Sequence, residues 1–558
     1  MSAADSPAPY PERTAGSNFF DLDDALRRHL ARRSPELLAR NETRLSDFGG
    51  WAGGKLEEQA AYTDRHAPPR LEVTDRDGGL SSRVILNPAY RDCHAEAYRR
   101  GAIGLCFGPK AEPHLLSFAF GYLLSMADIS IHCPVTMTGA VAHVLERMAP
   151  AEIRGRYLPE LVRMDGKALS GGTWATERHG GSDIGATTTR AVGTDGGWRL
   201  HGLKWFTSNA GSGLALATAR PDGAPRGGKG LGCYLVPGHL PGGEPNAYNI
   251  RRLKEKLGTR GLPTGEIELE GAFGVEVAGP PDGLRAMMAA LEYSRVHNAF
   301  GAAGLQARAL LEAACWAIHR RAFGRPIANY PMVREALLDI AMEHEASTAL
   351  AVESGLAFDE AERREDAIPW LRTVTALAKY RTAEQAVRSS VRAVELVGGN
   401  GYTEEWPTAR LYRDALVTAV WEGPANIQAL ELLRATTGRL PGDYAFVERV
   451  TAALESAPDR LTDAVATIRE GLSEVTAAIA RLRARPEEGP RVGRRLLDRM
   501  SDLLAAALLV EAARNDERLA LLAGRFVHRH LGGAGSLLDD DPALTAFDMI
   551  FPRIERTG

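Results

Sequence analysis

Near the end of the chain's third quarter, Trp421-Glu422-Gly423-Pro424-Ala425-Asn426-Ile427 sets one carboxylate between a bulky aromatic and a Gly-Pro corner. A helical pattern of Ile427, Leu430 and Leu433 starts directly afterwards, so Glu422 sits on a turn and is aimed at something. On this segment alone the plainer reading is an ordinary exposed glutamate after a helix. Some twenty residues earlier, Gly398-Gly399-Asn400-Gly401-Tyr402 is a glycine turn that lets backbone approach a bound molecule closely. Two further polar stretches, Thr176-Glu177-Arg178-His179-Gly180-Gly181-Ser182-Asp183 and Lys204-Trp205-Phe206-Thr207-Ser208-Asn209, put hydroxyl-and-amide loops and a tryptophan at the ends of neighbouring strands. That set suits a flat heteroaromatic ring, with the indole on one face and hydroxyls and backbone N–H groups at its edge. Arg320-Arg321-Ala322-Phe323-Gly324-Arg325-Pro326 offers a clamp for a diphosphate, or simply cations for the negative end of a helix dipole.

The elements that must carry these residues fall into blocks. Residues 1–17 are too poor in apolar surface to order and read as a disordered tail. Residues 18–166 are mostly helical, with leucines at helical spacing over 21–45, 95–105 and 114–124, and a short link after Pro134 before a helix at 140–148. Residues 167–280 change character: short alternating runs rich in Val, Ile, Thr and Trp are separated by turns such as Asp195-Gly196-Gly197, as in a small β domain. Residues 281–440 return to helix, with long segments at 283–323, 332–360, 368–397 and 425–436 that predict a four-helix bundle. Residues 441–558 form a further helical domain interrupted by Pro486 to Pro490. The fold class read from this is α+β, mainly α.

Composition narrows the function. Of 558 residues, 44% are hydrophobic and 25% charged, with a formal charge of -4, so no wholesale attraction to nucleic acid or anionic membrane follows. Five scattered cysteines, odd in number and without a C-x-x-C pair, point to a reducing, cytoplasmic setting and away from a disulfide framework or a metal site. The most apolar region, 115–145, is broken by Asp128, His132, Pro134 and His143, so no membrane span is expected. In the last domain, 16 arginines and no lysine face 19 carboxylates; seven arginines between Arg481 and Arg499 could make a basic patch, and a solvated helix face is the plainer reading.

The order of the segments resembles the acyl-CoA dehydrogenase family over about residues 90–437. T-E-x-x-x-G-S-D, W-x-T, R-x-x-F-G, G-G-x-G-Y and W-E-G occur in register. Cys133-Pro-Val-Thr-Met-Thr138, Arg252-Leu-Lys-Glu-Lys-Leu-Gly258 and the extra carboxy-terminal region resemble more narrowly the AidB-like, adaptive-response subgroup. The resemblance implies a helical domain, a middle β-barrel and a four-helix bundle, with FAD as cofactor. It implies an acyl-CoA or acyl-carrier-protein substrate and a homo-oligomer, usually a tetramer. It places Thr176, Ser182, Trp205 and Thr207 at the flavin or thioester, and Arg320, Phe323, Glu395, Gly398 and Gly399 at the FAD of a neighbouring subunit. Asn426 falls beside the cofactor, Arg295 and Gly423 on the substrate side, and Glu422 on the base that takes the α-proton while the β-hydride goes to flavin N5, giving a 2,3-enoyl thioester. Some members carry the base where this chain has Ser294, which cannot serve. The chain departs from the family at Pro424 for threonine, Asn426 and Glu395 for glutamines, and Pro331. Two alternatives stay open: an AidB-type flavoprotein that binds DNA through its last domain, and a flavin oxidase or N-oxygenase in which Glu422 is spared.

Overall fold

The computed structural model describes residue 14 and residues 16–439, 441–532 and 540–551; most of the expected disordered tail lies outside them. The first layer is helical: α1 (Phe19–Leu22), α2 (Asp24–Arg33), α3 (Pro35–Trp51) and α4 (Glu57–His66), then a hairpin of β1 (Arg70–Thr74) and β2 (Leu80–Ile85), then α5 (Pro88–Arg99), α6 (His114–Ala127), α7 (Ile129–Met148) and α8 (Ala151–Leu161). One sequence reading needs correction here. The expected link after Pro134 is absent: α7 runs through it, capped by Asp128, whose side chain accepts from the Ser130 N–H. Proline removes one helical N–H and with it the bond to the Ser130 carbonyl, while the Pro134 carbonyl accepts from the Thr138 hydroxyl at 2.7 Å. Every residue of α6 is buried, as expected of a helix apolar all round.

The sheet domain follows: β3 (Gly171–Trp174), β4 (Arg190–Thr194), β5 (Gly197–Ser208), β6 (Leu214–Pro221), β7 (Gly232–Pro237), β8 (Tyr248–Leu253) and β9 (Thr264–Ala278). The strand order is β3-β6-β4-β5-β9-β7, with β8 on β9, and a further β6–β7 pairing closes it into a barrel. Trp174, Leu200, Tyr234 and Ile267 fill its inside. Gly196 and Gly197 make the β4–β5 turn, and Gly196 at φ 89° supplies the left-handed step that the turn needs.

The bundle is α9 (Gly283–His319), α10 (Pro331–Ala361), α11 (Ile368–Val397) and, after the glycine turn, α12 (Pro407–Val420) and α13 (Ala425–Thr437). Between α9 and α10, β10 (Arg321–Ala322) and β11 (Arg325–Pro326) form a two-residue hairpin. The last helices are α14 (Gly442–Glu455), α15 (Thr462–Ala484), α16 (Gly489–Ala512) and α17 (Glu517–His530), and α16 packs on α13, α10 and α11. One continuous core joins the first helices, the bundle and these last helices; each fully buried Leu or Phe in it is worth about 1.5–3 kcal/mol. Among the described residues no helix is long and apolar enough to cross a membrane.

Candidate active site

Helix α12 ends at Val420, and the chain turns through Trp421 into a corner where Glu422 has φ 57° and Gly423 φ 95°. A glutamate in the left-handed region is held there against its own preference, a form of strain that concentrates at functional sites. Three long side chains hold the corner. The Glu422 carbonyl accepts from Arg295 Nε at 3.0 Å and Gln428 Nε2 at 3.1 Å, and the Gly423 carbonyl accepts from Lys379 Nζ at 2.8 Å and Gln428 Nε2 at 2.9 Å. Gly423 is required: a Cβ there would lie 2.9 Å from Gln428 Nε2 and 3.0 Å from Ile427 Cγ2. Trp421 is pinned by its indole N–H on Asn298 Oδ1 and wedged between Ile129, Ala302 and Leu411 on one side and Cys133, Met137 and Leu262 on another.

The carboxylate itself is left without a partner. Glu422 Oε2 is buried and unbonded among the described residues, as are Ser294 Oγ, Asn298 Nδ2, Glu292 Oε1 and Gln428 Oε1. Ser294, Arg295 and Asn298 share a face of α9 by helical spacing. Buried polar groups are rarely orphaned, and a cluster of them around one carboxylate is what a ligand site without its ligand looks like. Burial pushes the Glu422 carboxyl up to about 7, with the Arg295 and Lys379 charges pulling the other way. Burial likewise lowers Lys379 to about 7, against the pull of Glu422. Glu422 is therefore poised where a general base is most effective at neutral pH.

The expected flavin-side residues of the barrel do meet. The Trp205 N–H donates to the Thr176 carbonyl at 3.0 Å, and the Thr207 hydroxyl donates to the Gly265 carbonyl at 2.8 Å, keeping its lone pairs. Trp205 is half-buried with the Lys254 ammonium 3.4 Å from its ring centre, so one indole face is covered. Ser182 is exposed on the glycine-flexed loop, and Asn426 is exposed in the first turn of α13. Glu177 of that loop is structural. Its carboxylate takes the buried Lys204 ammonium at 2.9 Å and four N–H or O–H donors from Thr188 and Thr189, which holds the carboxyl at about 2.

The remaining predicted residues lie elsewhere. From Arg295 to Arg320 is 25 residues of helix, about 37 Å at 1.5 Å per residue, and from Lys379 to Glu395 about 24 Å. Arg320, Phe323, Glu395, Gly398 and Gly399 are exposed at that far end, and Gly398 and Gly399 have nothing within 4 Å of where a Cβ would stand. Phe323 sits at the hairpin tip at φ 49° and is 96% exposed; Tyr402, which closes the glycine turn in sequence, is 85% exposed. One chain does not bring this group to Glu422. Sequence reasoning missed Lys379, Asn298 and Gln428, and for Lys379 a signal existed: a single cation within the apolar run Ala376-Leu-Ala-Lys-Tyr380.

Comparison with known proteins gives the same reading. Residues 281–437 match the acyl-CoA dehydrogenase C-terminal domain, residues 172–272 the acyl-CoA dehydrogenase middle domain, and residues 10–165 the adaptive response protein AidB N-terminal domain. The putative acyl-CoA dehydrogenase AidB of Escherichia coli (strain K12) is 33% identical over 386 residues, 66% of this chain and 69% of that protein. Acyl-CoA dehydrogenase family member 11 of Caenorhabditis elegans is 28% identical over 523 residues, 89% of this chain and 84% of its own length. The crystal structure of Caenorhabditis elegans ACDH-11 in complex with C11-CoA superposes with a TM-score of 0.89 at 26% identity, covering 99% of this chain and 98% of that one. With these three domains matched along it and a relative 33% identical, the chain belongs to the acyl-CoA dehydrogenase family, on its AidB-like side.

Proposed function

We propose that this protein is an FAD-dependent oxidoreductase that acts on an acyl thioester, with Glu422 removing the α-proton on the way to a 2,3-enoyl thioester. The observation that carries the reading is the desolvated, unpartnered Glu422 carboxylate on its left-handed corner. An α-proton of a thioester is a weak acid, so its removal needs a base in a dry site and donors for the oxygen that gathers charge. Because both carbonyls of the corner are occupied, the corner is fixed, and the Glu422 N–H, which has no acceptor among the described residues, is free to donate to that oxygen.

The residues present fit the cofactor. Trp205 has one face covered and one to offer, Thr207 keeps acceptor lone pairs, and Thr176 and Ser182 stand beside them on a loop opened by glycines. When bound, FAD accepts the hydride that leaves the β-carbon. Asn426 joins that set from α13, and Gly423 and Arg295 fix the substrate side. Arg320, Phe323, Glu395, Gly398 and Gly399 serve the cofactor of a second copy, which makes the working unit a homo-oligomer, a tetramer in our reading. A relative that holds C11-CoA supports a coenzyme A thioester over an acyl-carrier protein. The scattered free cysteines support a cytoplasmic setting.

Anaerobic titration of the FAD-loaded protein with a panel of acyl-CoAs tests this: bleaching of the flavin absorption by at least one chain length is expected, and a protein that cannot be reconstituted with FAD would overturn it. Full bleaching by the Glu422→Gln variant would instead favour the oxidase or N-oxygenase reading. DNA binding by the last domain draws no support from its charges. Arg481 and Arg485 pair with Glu488, Arg483 with Asp443 and Arg499 with Glu474.

A further inference from the structure

Lys379 is 1% exposed on α11, and the carbonyl of Gly423 takes its ammonium at 2.8 Å. A lysine this deep is costly unless its charge is answered. Its surroundings supply one answer. Arg295 on α9 is a second cation, turned to the Glu422 carbonyl and 3.5 Å from Glu292. Glu292, buried on the same helix, also feels Arg372 of α11 and Glu431 of α13, which pair with each other at 3.0 Å. Glu384, one turn on along α11, adds a weaker pull, and the Cys133 thiol of α7, raised by burial, faces the Glu422 charge from the other side. The carboxylate whose charge acts most on Lys379 is therefore Glu422, whose Oε2 has no hydrogen-bond partner among the described residues.

Resting on the base assignment above, we propose that Lys379 is a positioning residue for Glu422: clamped on the Gly423 carbonyl, its ammonium fixes the left-handed corner and supplies the charge that keeps the carboxylate ionisable in a dry cleft. Arg295 pulls on the same carboxylate more strongly, with its guanidinium shared between the Glu422 carbonyl and Glu292. A nearby opposite charge lowers a carboxyl, and the Lys379 charge does so for Glu422 beside that of Arg295, so its removal raises Glu422. Reciprocity requires that removal of Glu422 lower Lys379 further.

The test compares FAD-loaded wild type with Lys379→Met, Lys379→Gln and Lys379→Arg by two readouts: the pH profile of acyl-CoA-dependent flavin bleaching, and the infrared band of the neutral Glu422 carboxyl, identified by its loss in Glu422→Gln. Lys379→Met is expected to move the acid limb, and the pH at which the band disappears, upward by about one unit or more. Lys379→Gln keeps a donor for the Gly423 carbonyl and is expected to show the same shift with a smaller loss of rate, which also covers the case where the Met variant does not fold. Lys379→Arg is expected to restore the wild-type limb. A limb and a band that stay in place while the rate falls at every pH would overturn the proposal. If Glu422→Gln itself retains activity, the base assignment fails first, and the infrared shift still decides whether Lys379 acts on that carboxyl.

Discussion

At the scale of single residues, Glu422 is the group with most to lose from its position. Its carboxyl is raised to about 7 by burial, so the rate of α-proton removal is expected to climb as pH rises through that value and to level off above it. Glu422→Gln keeps the shape and deletes the base; we expect about a 10²–10⁴-fold loss in the rate of flavin bleaching by acyl-CoA. Stability moves in the opposite direction. A folded carboxyl held above its unfolded value binds its proton more tightly in the fold, so ionising it weakens the fold as pH rises from the unfolded value, near 4.3, to beyond 7. Glu422→Gln at pH 8 is therefore expected to leave Tm equal or raised, and a fall of several degrees would mean that the carboxylate stabilises the corner. Glu422 was legible in the sequence because its neighbours Trp421 and Gly423 are local. Lys379, 43 positions away, was not, since nothing in a linear pattern says which carbonyl a buried cation will meet.

At the scale of elements, helix α12 carries the Trp421-Glu422 corner and is anchored at its sides by charges drawn from the whole chain. Arg410 reaches the Ala127 carbonyl at 2.9 Å, Glu57 at 3.4 Å and Asp128 at 3.7 Å, and Arg413 joins Asp64 to Glu404. Asp414, pushed up to about 7 by burial, accepts from the N–H of Thr259, which itself sits at φ 48° beside the barrel. Removing Arg410 takes from buried Asp128 the cation it pairs with, so Arg410→Met is expected to cost about 3–5 kcal/mol by denaturant unfolding; a cost under about 1 kcal/mol would show that the network is incidental. The elements themselves were readable where the local pattern was pure: α11 begins and ends at Ile368 and Val397 as its periodicity predicts, and Asp195-Gly196-Gly197 makes the expected turn. They were misread where a local rule met a tertiary one. Pro134 reads as a break, yet α7 passes through it, because the surrounding core buries the helix from Ile129 to Leu145 and holds it in place. Within the same core, His132 and His297 share a hydrogen bond at 3.0 Å, and burial holds His132 and His114 at about 3. These groups are neutral when folded and protonate near 6.5 when unfolded, so stability is full above pH 6.5 and falls steadily toward pH 3. Acid unfolding should flatten in His132→Gln, and an unchanged pH dependence would remove this pair as its cause.

At the scale of the whole molecule, the geometry of α9 and α11 bears on the second copy we propose. Both helices run the same way, α10 returning between them, so Arg295 and Lys379 lie level at one end while Phe323, Glu395 and the glycine turn lie at the other; Trp316 and Trp406 meet at that far end, with ring centres 5.0 Å apart. Separations of about 24 and 37 Å along the helices exceed what one chain could close around a single bound molecule without bending them. Phe323 adds an energetic reason. A phenylalanine in the left-handed region is unfavourable, and one 96% exposed gains nothing from burial within its own chain; contact with the proposed second copy would offset both costs. Phe323→Ala is expected to leave the fold of the single chain intact by circular dichroism, to shift sedimentation toward smaller species at micromolar concentration, and to lower the FAD bound per chain together with that shift. Phe323→Asn, which gives the tip the Asn-Gly pair that a two-residue hairpin prefers, should keep the hairpin and still lose the assembly. Were either variant to remain fully assembled with FAD retained, Phe323 would be strain without a partner, and the proposed second copy would have to reach the cofactor through Arg320, Glu395, Gly398 and Gly399.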